Sequence, residues 1–321
     1  MLTIHDARQP EAVVWEPGTP VPGEAAWLDL RDPNDAEVQA CERAAKVKLP
    51  AREDMTGVSL PGRNRIEQKA MFLQVPVFED TDDGNTHASP VSLVLTPELL
   101  VTQRYTRSAA FDTAVKDWHT RRENDGPTGA FAELLETLVE RTAVSMQKIA
   151  GDVADLSGRV FGDRRAETRH LRRWLVHVGA LETRLARSRS SLLGMTRIAV
   201  FTCEKNPAWI PEKQRSRIET VRNDLVALDH FDEQLTEKLQ FLLDAIFGLI
   251  SVNQNNVMKL FTVASVVAVP PVILAGVWGM NFKAMPELYK PWGYAMALGA
   301  ILVSILIPLG IFKWRGWLSN D

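Results

Sequence analysis

A line of neutral, oxygen-bearing side chains runs through the C-terminal third of the sequence. Asn255, Met258, Thr262, Ser265, Val269, Val272 and Gly276 recur every three or four residues, the spacing of one helix face. That face is small, partly polar and free of charge. Asp244 lies eleven residues before Asn255, close to three helical turns, so it falls on the same line. Carboxamide and hydroxyl oxygens accept hydrogen bonds. In a ring of identical helices these residues would line a narrow pore, with polar rings at Asn255 and Thr262, an apolar constriction between them and a carboxylate ring from Asp244 at one mouth. The same spacing also fits small residues that pack helix against helix in a membrane. Asp244 by itself also fits a solvated helix charge.

The line ends in "GVWGMNFKAMPEL", residues 276–288, between two apolar runs. Leu260 to Phe282 carries no ionisable side chain, and neither does Pro291 to Phe312. Gly276 and Gly279 permit close approach of backbones. Asn281 offers a carboxamide oxygen without a charge. A hard cation such as Mg2+ sheds its water reluctantly. A ring of neutral oxygens can hold such an ion through its waters without binding too tightly to release it.

Elements of a definite kind must position these groups. Each apolar run spans roughly 30 Å as a helix, the hydrocarbon thickness of a bilayer. The sequence therefore predicts transmembrane helices at 258–279 and 293–313, an outer loop at 280–292, and a short tail at 314–321. Pro270, Pro271 and Pro308 are tolerated in such helices. The N-terminus lacks the basic and apolar regions of a signal peptide, so the soluble part is expected in the cytoplasm. Two spans return the chain to that side, where Lys313 and Arg315 satisfy the positive-inside tendency. Trp314 and Trp317 suit the interface. The expectation is a multi-pass protein of the cell (inner) membrane with both termini cytoplasmic. A net charge of -3 over 321 residues names no partner.

Residues 1–125 read as an α+β cytoplasmic domain. "EAVVWEP", "AAWLDL", "MFLQVPVFE", "VSLVLT" and "LLVTQRY" read as strands. "DPNDAEVQACERAAK" reads as a helix with Asp32 as N-cap and Pro33 in its first turn. Residues 126–210 read as a helical hairpin, with helices at 128–161 and 164–204. From Pro211 one helix runs without a break into the first span, its cytoplasmic part covering 211–257. Ile218, Val221, Leu225, Leu228, Asp232, Leu235, Leu239, Leu242, Ile246, Leu249 and Asn253 form a heptad seam along it. Such a helix is too long for its own small domain to cover, which points to a parallel homo-oligomer. The arginines of 164–204 are expected to pair with Asp224, Asp229, Asp232, Glu233 and Glu237 rather than with nucleic acid, since no aromatic platform interleaves them. His170 and His177 lack further metal ligands nearby. Cys41 and Cys203 read as two structural thiols. No Gly-rich phosphate loop, nucleophile elbow or other catalytic constellation is present, so no enzyme and no cofactor is expected.

"WGMNFKAMPEL" resembles the signature of the CorA family of magnesium transporters, "YGMNF" followed by "MPEL". The likeness continues through "NNVMKLFTVASVVAVPPVILAG", "FKWRGWL", "WLDLRDP" and "LLVTQRYTR", and so covers nearly the whole chain. It implies a funnel-shaped homopentamer with two membrane helices per subunit. The first helix would line the pore, and Gly279, Met280 and Asn281 would form the selectivity loop. It further implies Asn255 as the polar ring needed for permeation, with Met258 and Phe261 near the gate. Hydrated Mg2+ would be the substrate, met by Asn281 through its waters, with Co2+ and Ni2+ as further cargo. Two positions depart from the pattern. Lys283 stands where several members carry Glu, and Lys290 adds a second positive charge against Glu287. A regulatory Mg2+ between cytoplasmic domains falls in the family on acidic residues. Here the matching position is Thr220, with Asp224 one turn on. Zinc transport of the ZntB type is the rival within the class. A membrane-tethered coiled-coil signalling protein is the rival outside it.

Overall fold

The computed structural model describes residues 1–6, 12–55, 64–80, 86–120, 125–162, 168–280 and 291–317. They group into two compact units. One is Met1–Asp163 with Leu175–Leu242, and the other is Arg164–Trp174 with Leu243–Asp321.

In the first unit β1 (Leu2–Asp6), β2 (Val13–Val14), β3 (Ala25–Arg31), β4 (Arg65–Glu67), β5 (Ala70–Asp80), β6 (Thr86–Leu95) and β7 (Leu100–Arg104) form a sheet of order β2-β1-β3-β7-β6-β5-β4. β3 and β7 are parallel, and the other neighbours are antiparallel. Side chains alternate between two cores, as the two-residue period of a strand requires. Met71, Leu73, Leu93, Leu95 and Leu100 enter one core, while Phe72, Val94 and Val101 enter the other. Ala40, Cys41 and Ala45 of α1 (Asp35–Ala45) belong to the second core. The first core is shared with α3 (Ala109–Thr120), α4 (Gly126–Gly162), α5 (Thr168–Lys205) and α6 (Glu212–Trp278) through Phe111, Phe131, Leu134, Leu192, Ile198 and Leu225. A short α2 (Arg52–Met55) follows α1.

The segments "WLDLRDP" and "LLVTQRYTR" meet as the parallel pair. Arg104 Nη2 donates to Asp29 Oδ2 at 2.6 Å, and Thr102 Oγ1 donates to Asp29 Oδ1 at 2.7 Å. Both members of the ion pair are buried, and every added bond to the carboxylate offsets the cost of taking the charges from water. Beside them His5 is buried, and that burial is the main reason its imidazole is pushed down to about 4.

α1 begins later than expected. Asn34, not Asp32, is the N-cap: Glu37 N–H donates to Asn34 Oδ1 at 2.9 Å, and Asn34 N–H donates to Glu37 Oε2 at 3.0 Å. This reciprocal pair satisfies two donors at once. Asp32 instead takes a left-handed turn, φ 44°.

The heptad seam is covered by its own chain through its first half. Ile218, Val221, Leu225, Leu235, Leu239 and Leu242 are buried. The seam residues of this stretch therefore pack within their own chain. Its charged member, Asp232, is 1 % exposed and bonded to Arg189 of α5, which also reaches Thr236 at 2.8 Å. Burial nevertheless raises the Asp232 carboxyl. The expected pairing of arginines with the acidic stretch is thus met at Asp232, whereas Arg184 pairs with Asp152 of α4 at 2.5 Å. Asp224 and Asp229 are exposed. α4 and α6 run in the same direction: Arg217 holds Glu133 at 2.7 Å and Glu136 at 2.6 Å, and farther down Phe161 stacks on Phe241 at 5.7 Å.

In the second unit α6 continues, and α7 (Gly293–Trp314) follows. Both are long and apolar enough to cross a membrane. α6 passes through Pro270 and Pro271 without breaking.

Candidate ion pathway

α6 after Lys259 has no charged residue to the end of the helix. Its side chains sort by exposure. Val263, Val267, Pro270, Pro271, Leu274 and Trp278 are half-buried. Asn255, Met258, Thr262, Ser265, Val269, Val272 and Gly276 are all exposed. At 3.6 residues per turn the centres of these two stripes lie about 160° apart. α7 has its own half-buried stripe at Ala297, Ala300, Ile301, Ser304, Ile305 and Pro308. The small, partly polar stripe therefore occupies the side of α6 opposite the one its own unit shields.

Thr262 Oγ1 donates to the Met258 carbonyl at 2.8 Å. Its hydrogen is thus spent on the helix, and the oxygen presents lone pairs outward. A stripe of acceptors suits ligands that donate, as the waters around a cation do. Asp244 is exposed, five turns above Thr262 and within about 20° of Asn255 around the axis. Phe261 is 64 % exposed on the flank of the stripe.

Asn255, Met258 and Thr262 share a groove of about 390 Å3 with Val252, Asn256, Lys259 and Trp317. Trp317 arrives there because α7 ends on a glycine. Gly316 adopts φ 73°, the left-handed conformation that glycine tolerates, Arg315 N–H donates to Ile311 O at 2.9 Å, and Trp317 N–H donates back to Phe312 O at 2.9 Å. The indole then stacks on Phe312 at 5.4 Å. Sequence reasoning placed Trp317 at an interface but did not bring it to Asn255, nor single out Lys259. The last charge before an apolar run was the available signal for Lys259.

The other end of α6 tightens at Gly279, whose N–H donates to Ala275 O at 2.9 Å, and at Met280, whose N–H donates to Val277 O at 3.3 Å. A Cβ at Gly279 would stand 3.0 Å from the Ala275 oxygen, so glycine relieves the crowding. Asn281, Lys283, Glu287 and Lys290 lie outside the described residues. Ser265, Val269, Val272 and Gly276 continue the stripe between groove and helix end. Asp224 and Thr220 belong to the other unit, and Thr220 Oγ1 donates to Ser216 O at 3.0 Å. Among the described residues no group of three His, Cys, Asp or Glu could hold a metal ion.

The family model for CorA-like Mg2+ transporter protein matches residues 23–313. A Wolinella succinogenes protein named Magnesium transport protein CorA is 27% identical over 297 residues, 91% of each chain. The complete structure of the CorA magnesium transporter from Methanocaldococcus jannaschii shares the fold with a TM-score of 0.78 at 17% identity, covering 99% of both chains. The ZntB cytoplasmic domain from Vibrio parahaemolyticus does so with a TM-score of 0.58 at 9% identity, over 78% of this chain and 97% of that one.

Proposed function

The chain belongs to the CorA-like Mg2+ transporter protein family, and from that premise we propose that it is a homopentameric Mg2+ channel of the inner membrane. Both termini lie on the cytoplasmic side, and α6 of each copy lines the axis. The observation that carries this reading is the acceptor stripe on α6, exposed along its whole length on the side its own unit does not shield. In the ring, Asn255 and Thr262 accept hydrogen bonds from the waters of the passing ion. Met258 and Phe261 form the apolar gate. Asp244 concentrates cations at the inner mouth. Gly279, Met280 and Asn281 select the hydrated ion outside.

No energy-coupling site is needed. A divalent ion moving inward gains roughly 4.6 kcal/mol per 100 mV, since each charge contributes about 2.3. Regulatory Mg2+ at Asp224 would need ligands from a second copy. Zinc transport is the weaker reading: the ZntB domain matches in fold at 9% identity, whereas the family model and the Wolinella protein both carry magnesium in their names. A signalling tether would leave the acceptor stripe without work.

The test is Mg2+ uptake into proteoliposomes at a set potential, with Zn2+, Co2+ and Ni2+ run beside it. Uptake should follow the potential, stop in Asn281→Ala, and be blocked from outside by hexaamminecobalt(III), whose ligands mimic a shell of six waters. Uptake that ignores the potential, or full flux in excess of the complex, would remove the hydrated-ion channel.

A further inference from the structure

We propose that the first two turns of α5 are a docking surface for the anionic headgroups of phospholipids in the leaflet that α6 enters. The inference rests on the two membrane-spanning helices and not on which ion is carried.

Leu171 and Trp174 are buried, while Arg169, Arg172 and Arg173 are exposed. One side of the helix is thus fixed to the protein and the other presents guanidinium groups. Arg172 and Arg173 have no ion-pair partner among the described residues. The imbalance extends through the unit. Its described residues include six Lys and Arg, namely Arg169, Arg172, Arg173, Lys259, Lys313 and Arg315, against the single carboxylate of Asp244.

Position makes this charge meaningful. Lys259 and Trp317 line one groove, which marks the polar border of the membrane span. The start of α5, Thr168 to Trp174, belongs to the same compact unit as α6 from Leu243 onward. An exposed guanidinium acts on phosphate charges within about one Debye length, roughly 8 Å at physiological salt. Guanidinium is the side chain best matched to phosphate, through paired N–H donors.

Arg172 and Arg173 stand exposed on the helix face, which favours a bilayer as the source of the phosphates. The full-length protein in nanodiscs of phosphatidylcholine, with and without phosphatidylglycerol, would be treated with phenylglyoxal. Modification of each arginine would be followed by mass spectrometry. Arg172 and Arg173 should react about fivefold more slowly in the anionic discs. The difference should shrink at high salt, and the exposed Arg43 of α1 should react equally in both. Equal rates at Arg172 and Arg173 in the two discs at low salt would overturn the proposal. So would equal protection in neutral discs by free glycerol phosphate or by an oligonucleotide, since the surface would then read anions without reference to the bilayer.

Discussion

Two lengths of α6 repeat on the same three- and four-residue spacing and meet opposite surroundings. From Ile218 to Leu242 the repeating positions carry large aliphatic side chains apart from Asp232, and the fold of the first unit closes over them. From Asn255 to Gly276 they carry Asn, Thr, Ser, Val and Gly, and a single chain covers none of them. Spacing decides which residues share a face, but side-chain size and polarity decide what that face is for. The upper length is a core seam. The lower one is complete only with something outside the chain, be it lipid, water or further copies.

The largest expected effect is on the lower length. Asn255→Leu should reduce Mg2+ uptake in proteoliposomes to the background of empty vesicles, because leucine cannot accept a hydrogen bond from an ion's water. Thermal stability should stay at the wild-type value. Uptake at the wild-type rate would return the stripe to mere helix packing.

A matched pair sharpens the contrast. Leu225→Ala in the seam should cost about 2–5 kcal/mol, seen as a lower urea midpoint in detergent. Val269→Ala on the stripe should change the midpoint by less than about 0.5 kcal/mol, as surface substitutions do. Equal losses would mean the two lengths are buried alike.

The first unit should also respond to acid. His5 titrates near 6.5 unfolded but is pushed down to about 4 in the fold, chiefly by burial, with Asp29 opposing and His119 and Arg104 adding to the depression. The unfolded chain therefore takes the proton first. Stability is intact above pH 6.5 and falls between 6.5 and 4, by about 3 kcal/mol in total. His5→Phe should flatten that slope in urea titrations at pH 7 and 4.5. A slope identical to wild type would assign the acid sensitivity elsewhere.

The smallest effect is at the cap of α1. Asn34→Ala should lose about 1 kcal/mol of stability and leave uptake unchanged. Asp32→Ala, at the position expected from sequence, should fall short of it.

The apolar runs, the seam and the strands of the sheet centre were legible because each is a local pattern. β1, β4, α2 and α3 were not anticipated. β1 is specified by its pairing with β3, Leu2 opposite Leu30, which no local window contains. α3 carries Ala110, Phe111, Ala114 and Trp118 inward, but in a short segment that also holds Asp112, Thr113, Lys116 and Asp117. The acidic partners of α5 were half legible. Charge predicted that the arginines would pair, and only packing could choose Asp152 and Asp232 over Asp224. At the candidate pathway the stripe was readable by spacing. The arrival of Trp317 was not, because it depends on the left-handed turn at Gly316.

The division of α6 between two units also orders events during synthesis. The buried face of α6 in the first unit cannot be complete before Leu242 has been made, since Leu235, Leu239 and Leu242 are buried there. Leu260, the first residue of the apolar run, follows about one to four seconds later at roughly 5–20 residues per second. The helix that completes the soluble core is thus the one that the membrane claims next. Folding and insertion draw on a single rod within seconds of each other, and a pause placed in the codons between Leu242 and Leu260 would separate them in a pulse-proteolysis time course.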